Sequence, residues 1–303
     1  MKPLFATCLG LLLLLSAPLT AQPIAAAGAA SSDQQVARLA EQVRRAEAVR
    51  GIKRLQAAYA HYVAMGLWAE AAALFSTDGA YGEGSKRIVG QAAIAAHLRQ
   101  NFGAGTDGMA RGRLYADFTF APVVTLSPDG TKGKGRWHSF GVDALYGSKA
   151  EWKGAIQENV YVLEDGVWKF QLLQPYPMFA GAYESGWKAV DPVARAVPFH
   201  FDVNTVGLPS TYVPQAWAPP AGAAVDTADL ARRVTRLNDE SRILTIQNAY
   251  GYYQIRRMWD DVADLFAPDG VLESGADKAK GRKAIRALLE GATPAGLKPG
   301  ELN

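Results

Sequence analysis

Residues 52–79 read IKRLQAAYAHYVAMGLWAEAAALFSTDG, and residues 243–270 read ILTIQNAYGYYQIRRMWDDVADLFAPDG. The two stretches lie 191 residues apart, and the match extends without a gap from Val43–Leu98 against Val234–Leu289. About a third of the pairs are identical, which marks an internal duplication. The shared positions have structural character: Ile52/Ile243, Gln56/Gln247, Tyr59/Tyr250, Tyr62/Tyr253, Trp68/Trp259, Phe75/Phe266, Gly90/Gly281 and Ile94/Ile285.

Within the first copy, Val36, Leu39 and Val43 recur at helical spacing. Ile52, Leu55, Tyr59 and Tyr62 continue the face after a break at Gly51. A short second helix is expected from Trp68 to Phe75, ended by Asp78-Gly79, because glycine accepts the left-handed conformation at a helix end. A strand Ala80–Glu83, a turn at Gly84 and a third helix, Gln91–Gln100, follow. The chain then changes to strands: Phe118–Leu126, Lys134–Val142, Ala155–Leu163 and Val167–Leu173, separated by turn signals such as Pro128-Asp129-Gly130 and Glu164-Asp165-Gly166. Three helices followed by an antiparallel meander make an α+β domain over residues 36–188. Prolines at 192, 198, 209, 214, 219 and 220 exclude a long helix from 189–228, which reads as an extended linker. Phe199, Phe201, Tyr212 and Trp217 in it want cover from the first domain. The second copy, 229–303, delivers the helices and one strand without the meander, and is expected to be a truncated domain or, in the alternative, one that another chain completes.

Lys2, the leucines of 11–15 and the small residues up to Ala21 follow the grammar of a secretory signal peptide, 1–21. A periplasmic or secreted protein, without a membrane anchor after processing, is the expectation. The single cysteine, Cys8, leaves with that segment, so disulfides and thiol chemistry are not expected. A net charge of +3 with no basic block offers no electrostatic case for nucleic acid. His61, His97 and His200 make no metal-ligand spacing, and Gly82–Lys86 lacks the full spacing of a phosphate loop.

Tyr59-x-x-Tyr62, Trp68, Leu74-Phe75, Asp78-Gly79, Gly90 and Ile94 resemble the opening of SnoaL-like domains, of the nuclear transport factor 2-like superfamily. Gly135-Arg136-Trp137, Glu158-Asn159-x-Tyr161, Asp165-Gly166-x-Trp168-Lys169 and Tyr183-x-x-Gly186-Trp187 fit the same family. The resemblance implies a cone: a curved antiparallel sheet on three helices, enclosing an apolar pocket. Its members include ketosteroid isomerase, scytalone dehydratase and non-catalytic binding modules, so fold alone does not settle activity.

The sharpest candidate pair is Tyr59 and Glu83, whose spacing about Phe75 resembles the oxyanion tyrosine and base of ketosteroid isomerase. A carboxylate in an apolar cone is a stronger base, and a phenol can donate to a developing enolate. The second copy keeps Tyr250 but has Ser274 opposite Glu83. His138 is a candidate acid or base, since dehydratases of this fold use a pocket histidine. Alternation puts it on one face with Arg136 and Phe140, while Trp137 and Ser139 take the other, which is the alternative pocket face. Asp117 stands near where the resemblance would place a histidine. Candidate ligand contacts are Trp68, Asp117, Phe120, Arg136, Glu158 and Asn159, with Glu158 and Asn159 on opposite faces. The expected function is binding of a small apolar or aromatic ligand without cofactor or metal. Isomerisation or dehydration by proton abstraction beside a carbonyl is one reading, and a non-catalytic binding or dimerisation module, as a dimer or an intrachain pseudo-dimer, is the other.

Overall fold

The computed structural model describes residues 31–186, 197–198, 206–220, 222 and 224–297. The proposed signal segment, Phe199, His200 and Phe201 lie outside them. Helix α1, Ser32–Met65, opens on a capping box between Ser31 and Gln34. It runs unbroken through Gly51, where a break was expected. The glycine is there because a Cβ would lie 2.7 Å from Trp168 Cδ1, so it admits the indole against the helix. After α2, Trp68–Ala73, come β1 (Phe75–Glu83), β2 (Lys86–Val89) and α3 (Gln91–Phe102). Asp78-Gly79 therefore does not cap a helix: β1 passes through it with a register irregularity between Phe75 and Ala80.

The meander is β3 (Arg113–Leu126), β4 (Lys132–Leu145), β5 (Lys149–Glu164) and β6 (Val167–Leu173), each reaching at least as far as its expected strand. A further strand, β7 (Pro175–Ala182), pairs with the first half of β5. Its prolines hid it from the sequence reading, yet an edge strand tolerates them. Strand order is β2-β1-β6-β5-β4-β3. The curved sheet is mixed rather than wholly antiparallel, because β1 joins β6 in parallel. The long α3 and meander excursion between them brings the chain back in the same direction.

The core lies between the sheet and the helices: Ile52, Leu55, Val63, Trp68, Phe75, Ile94, Leu98, Trp137, Tyr161, Phe170 and Leu173 are buried. Burial of such side chains is worth about 1.5–3 kcal/mol each. Residues 206–220 carry no helix or strand. The Arg38 guanidinium donates to the carbonyls of Val213 and Pro214 (3.0 and 3.2 Å) and of Gln215 (3.0 Å), and Val213 is buried. Tyr212 remains largely exposed.

The second copy comprises α4 (Thr227–Ile255), α5 (Trp259–Asp264), β8 (Val271–Ser274), β9 (Asp277–Lys280) and α6 (Arg282–Ala292). Its α4 meets α1 through Arg233–Glu47 (2.7 Å) and Arg50–Glu240 (3.0 Å).

Candidate functional site

Alternation along three neighbouring strands decides which side chains enter the cone. On β4 the inward face is Gly133, Gly135, Trp137, Ser139 and Gly141, all buried, while Lys134, His138 and Phe140 are exposed. On β5 the inward set includes Gln157, Asn159 and Tyr161. Between this surface, α1 and the β7 edge lies a cavity of 370 Å³. Tyr59 and Gln56 enter from α1, Tyr81 and Glu83 from β1, Tyr115 and Asp117 from β3, Ser139 from β4, and Lys153 and Gln157 from β5. Pro175, Pro177 and Phe179 of β7 close one side. Exposed Glu83 and Gly84 belong to the lining, so the cavity reaches the surface beside the β1–β2 turn.

Asp117 is the enclosed carboxyl. Burial pushes its proton affinity up, against opposing pulls from Lys153 and from hydrogen bonds donated by Ser139 and Gln157. Gly141 makes the close arrangement possible. A Cβ there would stand 3.2 Å from both Asp117 Oδ1 and Lys153 Cε. Lys153 Nζ donates to the Tyr115 hydroxyl at 3.0 Å and lies 4.2 Å from that ring's centre. Burial holds the Lys153 ammonium below the ordinary lysine range, although Asp117 and Asp143 favour the charged form. Burial also raises Tyr59 and Tyr115 well above a free phenol, with Tyr81 and Asp117 adding to the effect at both. Tyr81 is pushed up to about 12 by burial and then by Glu83 and Asp117. The cavity therefore offers three phenols held in their neutral form and an enclosed carboxyl whose proton affinity burial has raised.

A directed chain of hydrogen bonds ends on that carboxyl. The Trp137 indole N–H can only donate, and it donates to the Tyr161 hydroxyl at 2.8 Å. Tyr161 donates to Gln56 Oε1 (2.9 Å), Gln56 Nε2 to Gln157 Oε1 (2.8 Å), and Gln157 Nε2 to Asp117 Oδ2 (3.3 Å). Asn159 Oδ1 accepts from the Gln174 backbone N–H (3.0 Å), so its amide nitrogen faces Gln56 Oε1 at 3.0 Å. Each amide orientation follows from its neighbours, and Gln157 is left with its donor toward the cavity.

The expected site residues separate accordingly. Tyr59, Glu83 and Asp117 share the cavity, Glu83 from its exposed rim rather than from an enclosed position. Asn159 lies behind the cavity wall in the buried network. Trp68 is a core residue whose indole donates to Thr106 O at 3.0 Å. His138, Phe120, Arg136 and Glu158 are on the outer face of the sheet, so none can act in this cavity. His138 stacks on Phe120 with ring centres 5.9 Å apart. Arg136 pairs with Glu158 across the strands and donates to Pro198 O. Gln56, Tyr81, Tyr115, Lys153 and Gln157 were not singled out from the sequence as cavity residues, whereas Ser139 stands on the strand face that alternation offered as the alternative pocket. The signal was present: Tyr115 shares strand parity with Asp117, and Lys153 and Gln157 share it with Asn159.

The arrangement defines an α+β cone with a ligand-sized interior pocket, followed by a partial repeat of the same unit. The chain belongs to the SnoaL-like domain family, whose model matches residues 44–174 and again 235–300. No curated protein matches the sequence. Among solved structures it is similar to a candidate scytalone dehydratase from Novosphingobium aromaticivorans, at 20% identity over 49% of this chain and 95% of that one, with a TM-score of 0.40. A type 2 hexachlorocyclohexane dehydrochlorinase gives 18% identity over 51% and 97% of the two chains, TM-score 0.40. A Catenulispora acidiphila protein in complex with S-DNPA gives 14% over 43% and 92%, TM-score 0.36.

Proposed function

We propose that the first copy binds a small, largely apolar carbonyl compound and moves a proton at the carbon beside the carbonyl, giving isomerisation or dehydration without a cofactor. The observation that supports this most is the enclosed Asp117, desolvated yet hydrogen-bonded by Gln157 and adjacent to Ser139, Lys153 and Tyr115. In this reading Asp117, not Glu83 or His138, is the acid–base group. Its carboxylate takes the α-proton and its acid form returns it. Desolvation brings its proton affinity toward that of the substrate carbon, which is the condition for efficient general-base catalysis. The neutral phenols of Tyr59 and Tyr115 are donors for the oxygen on which enolate charge develops.

The experiment is solvent deuterium exchange. A panel of aryl ketones and aryl β-hydroxy ketones is incubated with the protein in D2O and read by mass spectrometry. Wild type should exchange α-hydrogens, and Asp117→Asn should lose about 10²–10⁴-fold of the rate, while Glu83→Gln retains most of it. Binding of the same ketones without exchange would leave a non-catalytic binding module as the better account.

We further propose that the protein works outside the cytoplasm, on the strength of Lys2, the leucine run and Ala21. Exported protein should begin at Gln22 or near Ser31, and an N-terminus still at Met1 would refute this.

A further inference from the structure

Lys153 carries the chemistry that the proton-transfer reading leaves unused. It is the one lysine lining the cavity, on a rigid strand, with its amino group inside the cone. Among the described residues no carboxylate stands within ion-pair distance of Nζ. Asp143, which also favours its charge, pairs instead with Arg113 at 2.9 Å and Lys149 at 3.6 Å. Asp117 is engaged by Ser139 and Gln157. Among the described residues Nζ meets only the Tyr115 hydroxyl and ring face. Arg113 and Lys149, both positive, further disfavour a third cation here. A structural lysine is ordinarily solvated or paired, whereas a desolvated, unpaired one in an apolar pocket is the arrangement that makes an amine nucleophilic toward carbonyls.

We propose that Lys153 is an imine-forming nucleophile, and that carbonyl ligands of this cavity are bound covalently through its Nζ, with Asp117 as the proton carrier. The proposal deepens the carbonyl reading above and rests on it for the ligand class. The neutral amine adds to the carbonyl carbon. A C–N bond forms, and the amine proton passes to the oxygen to give a carbinolamine. The Asp117 acid then protonates that hydroxyl, which leaves as water, so a protonated imine and the Asp117 carboxylate result. The carboxylate next removes the α-proton to give the neutral enamine, and the Asp117 acid is restored. Reprotonation at another carbon isomerises the ligand, loss of a β-hydroxyl dehydrates it, and water releases the product. No oxidant or reductant enters. The positive imine nitrogen is a stronger electron sink than a hydrogen-bonded carbonyl, which is what covalent attachment contributes.

The test uses the full chain and two probes. Benzoylacetone, a 1,3-diketone, converts a nucleophilic lysine to a conjugated enaminone that is read by near-ultraviolet absorbance. Acetophenone with sodium cyanoborohydride traps an imine as a secondary amine, located by peptide mass mapping. The expected result is a single adduct on Lys153, formed at least about tenfold faster than on exposed Lys132 or Lys134, because a desolvated amine gives up its proton more readily than a solvated one. Lys153→Arg keeps a hydrogen-bond donor beside Tyr115 but should give no adduct, and Lys153→Met supplies a second variant should the arginine misfold. Asp117→Asn should slow adduct formation about 10²-fold, the usual contribution of a positioned proton donor. Label spread evenly over the surface lysines, or undiminished in Lys153→Met, overturns the proposal. α-Deuterium exchange that survives Lys153→Met overturns it as well while leaving the Asp117 reading intact. Trapping at Lys153 without exchange in any ketone keeps the proposal and removes that reading.

Discussion

The two copies carry the same local geometry but differ in how far their long helices are covered. Tyr59 meets Phe75 edge-on at 5.9 Å, and Tyr250 meets Phe266 edge-on at 6.2 Å. The Gly90 N–H donates to Gly79 O and the Gly281 N–H to Gly270 O, both at 2.8 Å. Gln91 Nε2 reaches Phe75 O at 2.7 Å, and Arg282 Nε, at the matching position, reaches Phe266 O at 2.7 Å. Yet Ile52 and Leu55 are 0% and 6% exposed, while their counterparts Ile243 and Ile246 are 64% and 49% exposed. The helical module sets its own turns and ring contacts, but the sheet creates the core, the cavity and the enclosed carboxyl.

The contrast is most exposed to test by amide hydrogen exchange. Ile52–Tyr62 of α1 should exchange orders of magnitude more slowly than Ile243–Tyr253 of α4, because local opening costs little where few apolar contacts break. Equal protection would mean that another polypeptide covers α4. Paired truncations come next. Phe75→Ala should lower stability by about 3–5 kcal/mol, as for a fully buried aromatic. Phe266→Ala, at a half-buried site, should cost about 1 kcal/mol or less. Chemical denaturation of each variant compares them.

A smaller difference separates Gln56→Leu from Gln247→Leu. The first orphans Gln157 and Tyr161 in the buried network and should cost about 1–3 kcal/mol. The second, at an exposed position, should stay within about 0.5 kcal/mol of wild type. The least effect is one of pH. The Asp117 carboxyl is raised in the folded state, so folding favours its protonated form. That stabilisation is complete below the unfolded value and is lost as pH rises through the folded one. Asp117→Asn should therefore melt higher than wild type at neutral pH, with the gap closing toward acid. A gap that widens in acid would show that the carboxylate, not the acid, is the form the fold prefers.

Much of the architecture was legible because duplication and periodicity report on helices and strands directly. The repeat singled out Ile94/Ile285 and Trp68/Trp259 as shared structural positions, and all four are buried, although Trp68 was expected at the ligand rather than in the core. The site was less legible for a geometric reason. A period of two sorts β4 into two faces without saying which is inside, and the outer face of this sheet is also aromatic, with Phe118, Phe120 and Phe140 exposed. His138 attracted attention as the histidine of the meander, but Gly133, Gly135 and Gly141 on the other parity marked the side where helix and side chains crowd the sheet. The exposure of Glu83 depends on where the β1–β2 turn projects, which local spacing does not encode. β7 was hidden because its two prolines suit an edge strand as well as a loop.

The Arg38 grip on three successive carbonyls has a consequence for chain statistics. Between Ala182, where β7 ends, and Thr227, where α4 begins, an untethered connector would be a closed loop of about 44 residues, whereas fixing Val213 leaves only about 13 before α4. Since loop closure scales with the logarithm of length, the shorter tether reduces the entropic penalty of docking α4 on α1 by about 1 kcal/mol. One guanidinium far from the α1–α4 contact thus acts as a knot in the string: it raises the effective concentration of Arg233 at Glu47 without touching either.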